Sequence, residues 1–418
     1  MGFSGGGDSL AVLMTLVRVA QADGRALHAF IVDHRLRETS AADAQRAADL
    51  ARRIGAEPSI LVWSNPRPGQ AAARRARHGL LAEAVRECGA HRLFLAHTLD
   101  DQRETVAMRL ERSDAARGLA GMDVLSPSPA WPEGRGILIA RPALAHSRRA
   151  LRQALREGEA PDWIEDPSNA DRRYERVRVR AELQRVDAAT LEELDRRQAG
   201  SRREEDGLRA AASRLIADGV ISHDWGGFSL QPPAFQHADA AVGLRAMEAL
   251  IVAASGAVMR PAGSAPQRLL EALHAGIAAT AGGAALTQGG VLGRDPGAAT
   301  GRGDGASGAA GLQLRPSQSG VYDGRFEICA GPDAPCRIRA WARRSAGDVA
   351  MSVPAALRPG LCRIEPGPER ECLVAGLSNV KACAGAPGVH WLGPERIMRT
   401  LFRAEQAPEF DAAFTLGG

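Results

Sequence analysis

Lysine is almost missing from this chain. Lys381 stands alone among 53 lysines and arginines, so no lysine amine is available as a nucleophile or phosphate ligand in the N-terminal half. Aromatic residues make up 4 % of the sequence, too few for an extended platform that stacks bases. The cysteines (Cys88, Cys329, Cys336, Cys362, Cys372 and Cys383) form no Cys-x-x-Cys pair and carry no zinc or iron–sulfur spacing. No apolar run approaches the length of a membrane span, and no signal-peptide pattern precedes the first motif. A reduced, cytoplasmic protein with no membrane partner is the expectation.

What is present reads as globular. The 418 residues are 45 % hydrophobic and 24 % charged, enough for two or three domains. A net charge of +4 permits a nucleic-acid partner without requiring one.

One stretch organises the rest: Ser4-Gly5-Gly6-Gly7-Asp8-Ser9, followed at once by the apolar run from Leu10 to Val17. Glycines let backbone N–H groups approach an anion, and a helix opening behind them adds unpaired N–H groups and a positive dipole end. Together they make a phosphate cradle. The bland alternative is a Gly-rich turn in which Asp8 or Ser9 caps an ordinary helix. The loop lacks the Gly-Lys-Ser/Thr of a Walker motif.

Short apolar runs then alternate with helical stretches. Strands are expected at 27–32, 59–63 and 91–96, and helices at 40–54, 70–88 and 99–111. This alternation predicts an α/β fold, a parallel sheet with helices on both faces, with ligands beyond the carboxyl ends of the strands. Only Met1-Gly2-Phe3 precede the loop, where a strand of about five residues belongs. A chain starting at Met1 is therefore expected to be poorly stable or inactive. The catalytic part is placed at 1–180, a helical middle domain at 181–290, a Gly/Ala-rich linker at 291–320 and a small α+β domain at 321–418.

Four further constellations fall at strand ends or on helices. Asp101 and Glu104 are three apart on the first turns of a helix and share a face. They could take Mg²⁺ or simply favour the helix N-terminus. Asp33-His34-Arg35-Leu36-Arg37 follows a strand, where a nucleotide's base and ribose would lie. Arg74 and Arg77 make a basic helical face, either for phosphates of ATP or RNA or merely solvated. The segment from Trp163 to Arg180 mixes aspartates with Arg172, Arg173, Arg176, Arg178 and Arg180, suited to an RNA backbone or to salt bridges between domains.

The loop resembles that of the N-type ATP pyrophosphatases (the PP-loop family). The full order resembles the tRNA(Ile)-lysidine synthetase family: the loop, Val32-Asp33-His34-Arg35-Leu36-Arg37, Arg74 with Arg77, the run from Leu95 to Thr105, and Trp163 to Asn169. The resemblance covers roughly residues 1–180. It implies adenylation of the wobble cytidine of the CAU-anticodon isoleucine tRNA by ATP. Free lysine then displaces AMP to form lysidine. It also implies that Ser4, Gly5, Gly6, Gly7, Asp8 and Ser9 bind ATP, and that Asp33, His34 and Arg37 line the same cleft. Asp101, Glu104 and Arg74 correspond to essential residues, Asp101 near Mg²⁺, and Arg77, Arg176 and Arg180 to RNA contacts. Residues 321–418 would bind tRNA, and a homodimer stays open. Two departures stand out: the short first strand, and Arg112-Ser113-Asp114 where the family has Gly-Ser-Gly. Two alternatives remain. A thiolating PP-loop enzyme would call for paired cysteines near the site, where only Cys88 falls. The other is an inactive tRNA-binding remnant.

Overall fold

Helix α1 (Gly7–Ala22) starts as soon as the glycine run ends, and Leu10, Leu13 and Val17 turn one face of it inward. The computed structural model describes residues 1–67, 69–112, 116–165, 173–258, 260–261 and 263–295. Further on it describes 312–314, 319–323, 325–329, 336–340, 353, 357, 362–365, 373–374 and 388–401. The chain forms two units, residues 1–207 and 208–402 among those described.

In the first unit, β1 (His28–Asp33), α2 (Ser40–Ile54), β2 (Glu57–Val62), α3 (Gln70–Glu87), β3 (Arg92–Phe94) and α4 (Leu99–Leu110) follow in turn. Then come α5 (Ala116–Leu119), β4 (Leu125–Pro127), β5 (Leu138–Ala140), α6 (Arg148–Glu157), α7 (Glu175–Leu183) and α8 (Ala188–Gly219), which runs on into the second unit. β1 pairs with β2 in parallel, and β3 with β5 in parallel, while β4 closes against β5 antiparallel. Residues 1–3 join the two groups. Gly2 bridges Phe30 in parallel, Phe3 N–H donates to Phe30 O at 2.8 Å, and Gly2 N–H donates to Phe94 O at 3.0 Å. The short N-terminal segment thus takes the central place that a first strand would occupy.

Period-two alternation divides the side chains of β1 between two cores. Ala29 and Ile31 join Leu10, Leu13 and the small face of α2 (Ala44, Ala47, Ala48, Ala51). Phe30 joins Leu81 and Val85 of α3 with Leu93 and Ile139. Helices therefore cover both faces, as the alternation predicts.

The second unit adds strands to the stretch at 181–290 that is expected to be largely helical. β6 (Val220–His223) and β7 (Gly227–Leu230) form a hairpin, followed by α9 (Pro232–Gln236), α10 (Ala240–Ser255) and α11 (Ala265–Ala275). β8 (Ala279–Ala281), β9 (Ala284–Leu286) and β10 (Val291–Arg294) complete a five-stranded sheet in the order β6-β7-β10-β9-β8. Positive φ at Gly226, Gly282 and Gly283 makes the turns, which an alanine-rich helical pattern masks. The expected linker opens with β10, and 296–311 lies outside the described residues. Beyond it, β11 (Leu312–Leu314), β12 (Ser319–Tyr322), β13 (Phe326–Cys329), β14 (Cys336–Ala340), β15 (Cys362–Glu365), β16 (Leu373–Val374) and β17 (Gly388–Trp391) precede α12 (Gly393–Leu401). No helix among the described residues is long and apolar enough to cross a membrane.

Candidate active site

The glycine loop is a cradle with little spare room. Gly5 has φ +80°, and a Cβ there would meet Ile164 Cδ1 at 2.7 Å. A Cβ on Gly7 would press on the Trp163 ring at 3.2 Å. The loop is strapped by Ile164 N–H, which donates to Gly5 O at 2.9 Å. Ser4 Oγ lies 3.1 Å from Ser9 Oγ, and Ser9 Oγ donates to Gly6 O at 2.8 Å. Gly6 is the N-cap of α1 and no side chain caps that helix, so the capping alternative for Asp8 and Ser9 does not describe the loop. First-turn N–H groups without a side-chain acceptor are what an anion needs.

Asp8 turns instead toward an arginine. Its Oδ2 accepts from Arg148 Nε at 2.8 Å, and its buried Oδ1 has no hydrogen-bond partner, with Arg152 Nε 3.8 Å away. Burial pushes the Asp8 carboxyl up, against the pull of Arg148.

The acids of α4 stand on the far side of Arg148. Asp101 caps its helix, as the alternative to Mg²⁺ binding expects, and it also pairs with arginines. Its Oδ2 accepts from Thr98 N at 2.8 Å and Thr98 Oγ1 at 2.9 Å, and Thr98 accepts from Asp101 N in return, a capping box. Its Oδ1 accepts from Arg176 Nη2 at 2.9 Å and Arg148 Nη2 at 3.3 Å. Burial alone would raise the Asp101 carboxyl, but Arg176, the Thr98 N–H and Arg148 outweigh it and hold it below its ordinary value. Glu104 is 1 % exposed and accepts from Arg176 Nε and Arg180 Nε, each at 2.6 Å.

Arg176 and Arg180 thus face the acids rather than open solvent. Arg74 and Arg77 lie near the same cluster on α3. Burial and then Arg176 lower the Arg74 guanidinium. Burial, Arg74 and Arg176 bring Arg77 down to about 10, and its Nε is buried without a partner. Beside them, burial and surrounding cations push His78 and His97 down to about 3. Cations crowded together without enough anions suit a phosphate-bearing ligand.

Asp33, at the end of β1, is buried and accepts from Arg35 N–H at 2.9 Å, which fixes the turn after the strand. His34 packs edge-on against Trp63 at 6.3 Å between ring centres, and burial with Arg77 lowers it. Arg37 turns away to α2, where its Nη2 lies 3.5 Å from Asp43. The motif residues Asp166 to Asn169 and Arg172 lie outside the described residues, as do Ser113 and Asp114.

Of two further side chains central to this geometry, Arg148 is not singled out by the sequence and Trp163 enters there only as the start of a motif. Arg148 sits in an arginine-rich helix start that reads as generic basic charge. Trp163 lies over Gly7, with Arg152 5.9 Å from the centre of its ring and Glu165 accepting from Nε1 at 2.7 Å. The hint for Arg148 is position alone: it follows the last strand of the sheet.

The donors do not fit a Mg²⁺ held by protein at Asp101. Both Asp101 oxygens and both Glu104 oxygens already accept from arginines or Thr98. No group of three His, Cys, Asp or Glu suited to a metal exists among the described residues. The loop, by contrast, suits a polyphosphate.

Cradle, parallel sheet and acidic helix define a class. A family model described as a PP-loop domain matches residues 1–186. Over 374 residues the chain is 38 % identical to the tRNA(Ile)-lysidine synthase of Caulobacter vibrioides, covering 88 % of this chain and 81 % of that one. Over 272 residues it is 39 % identical to the tRNA(Ile)-lysidine synthase of Hyphomonas neptunium, covering 64 % and 72 %. Among solved structures, a U34-tRNA thiolase from Methanococcus maripaludis aligns with 49 % of this chain and 70 % of its own, at 17 % identity and TM-score 0.40. The chain belongs to the tRNA(Ile)-lysidine synthase family.

Proposed function

We propose that this chain uses ATP to join lysine to C2 of the wobble cytidine of the CAU-anticodon isoleucine tRNA. Cytidine O2 attacks the α-phosphorus of ATP, the bond to the β-phosphate oxygen breaks, and pyrophosphate leaves. The lysine amine then attacks C2, the C2–O bond to AMP breaks, and the amine gives up a proton. The product is lysidine.

The loop at 4–9 holds the β- and γ-phosphates, and its preorganised N–H groups stabilise charge growing on pyrophosphate. Asp101 and Glu104 receive the incoming amine. Arg74 and Arg77 face RNA and reacting phosphates, while Arg176 and Arg180 hold the acids of α4 in place. Asp33 and His34 bound the base and ribose side. Mg²⁺, where it takes part, comes with the nucleotide rather than in a carboxylate cage.

One observation carries the reading. Arg148 links Asp8 of the phosphate loop to Asp101 of the acidic helix, at 2.8 Å and 3.3 Å, which sets an ATP site beside paired acids. The test supplies labelled lysine with the CAU-anticodon transcript and ATP and measures the tRNA nucleosides by mass spectrometry. Labelled lysidine is the expected product. RNA binding without tRNA-dependent ATP–pyrophosphate exchange would mark an inactive remnant, and sulfur incorporation would mark a thiolase.

A further inference from the structure

Among the described residues, one guanidinium touches both halves of the site. Arg148 Nε donates to Asp8 Oδ2 at 2.8 Å, Nη2 donates to Asp101 Oδ1 at 3.3 Å, and Nη1 lies 3.7 Å from Glu104 Oε1. Its root is fixed: the Arg148 N–H donates to Asp100 Oδ2 at 2.7 Å, and Ser147 caps the helix. The neighbouring arginines divide between the two sides. Arg152 lies by Asp8 and Glu165, at 3.8 and 3.4 Å. Arg176 and Arg180 pair with the acids of α4.

Three guanidiniums, those of Arg148, Arg176 and Arg180, crowd the two acids Asp101 and Glu104, so the cluster has no spare anion for a cationic amine. A polyphosphate at the loop changes that. Phosphate oxygens compete for the planar guanidinium fork, and of the three arginines around Asp101 and Glu104 it is Arg148 that already pairs with the loop, at Asp8.

We propose that Arg148 is a positioning residue that couples the two small substrates. Polyphosphate at residues 4–9 draws its guanidinium toward the loop and vacates the place beside Asp101 Oδ1 and Glu104 Oε1, which the ammonium of lysine then takes. This rests on the lysidine-forming reading above. Coupling of this kind is reciprocal: lysine tightens nucleotide binding by the same factor.

The test measures equilibrium binding of labelled lysine to the full chain, with and without α,β-methylene-ATP, which cannot be cleaved at that bond. Wild type is expected to bind lysine about tenfold tighter with the analogue, within the usual span of coupling between sites. R148Q is expected to bind lysine equally with and without it. R148K, which keeps the charge but loses the fork, is expected to show a reduced factor, and it decides the matter if R148Q does not fold by circular dichroism. A wild type indifferent to the analogue overturns the proposal, as does an unchanged factor in a folded R148Q or, where R148Q does not fold, in R148K. Lysidine formation in the labelled-lysine assay is scored separately. Its absence with coupling intact removes the reading of the reaction alone, and its presence without coupling removes the role of Arg148 alone.

Discussion

Glu104 and Arg180 form an ion pair in which the acid is 1 % exposed and the base 23 %, with Nε 2.6 Å from Oε1. A carboxylate this buried is tolerated by the fold only because its partners compensate for lost water. Glu104→Gln leaves Arg176 and Arg180 against a neutral amide. Urea unfolding is expected to show a loss of about 2–3 kcal/mol, below the usual cost of a broken buried pair because both arginines are partly solvated. Lysidine formation should disappear. A stability within about 0.5 kcal/mol of wild type would mean that the pair contributes little to the fold.

Asp101 separates a structural duty from a chemical one. Asp101→Ala removes the capping box of α4 and should cost about 1 kcal/mol. Asp101→Asn keeps an oxygen for the Thr98 donors and should stay near wild-type stability. Both variants are expected to lose lysidine formation while folded. Normal modification by either would take Asp101 off the list of reacting-site residues.

Much of the first unit was legible because each element is locally consistent. The strand expected at 27–32 is β1 at His28–Asp33, and the helix expected at 40–54 is α2 with the same bounds. The loop and the acids of α4 were visible because short motifs carry their own geometry. Arg148 was not: helical spacing says which residues share a face, but not that Asp8, 140 positions away, lies opposite. The sequence leaves the arginines of α7 open between an RNA backbone and salt bridges, because spacing does not say that Arg176 and Arg180 meet Glu104 and Asp101. The hairpin of β6 and β7 was hidden because Gly226-Gly227 lies between short runs that are weak in either pattern.

The glycines of the loop should differ in what they lose. Gly5→Ala forces a Cβ at φ +80° into Ile164 at 2.7 Å, so backbone strain and a clash combine. A loss of about 2 kcal/mol and failure to bind ATP are expected. Gly7→Ala meets only the Trp163 ring at 3.2 Å, inside a helix that favours alanine. It should keep stability within about 1 kcal/mol and raise the KM for ATP in pyrophosphate exchange, because Trp163 must shift. Equal effects from both would mean that the strap at 163–164 does not shape the cradle.

His78 should make the fold sensitive to mild acid. It is 2 % exposed, neither ring nitrogen has a partner, and burial with Arg77 and Arg74 brings it down to about 3. The unfolded chain takes up its proton near the ordinary value of about 6.5, so between these values the unfolded state binds more protons. The lowered value therefore gives stability that is complete above about pH 6.5 and is lost as pH falls toward 3. By pH 5 the loss from this one group is about 2 kcal/mol. Other titrating groups cancel when wild type is compared with His78→Gln at each pH. Urea unfolding should show the stability difference moving by about 2 kcal/mol in favour of the variant between pH 7.5 and 5. A difference that stays constant across that range would mean that His78 is not held neutral by its surroundings.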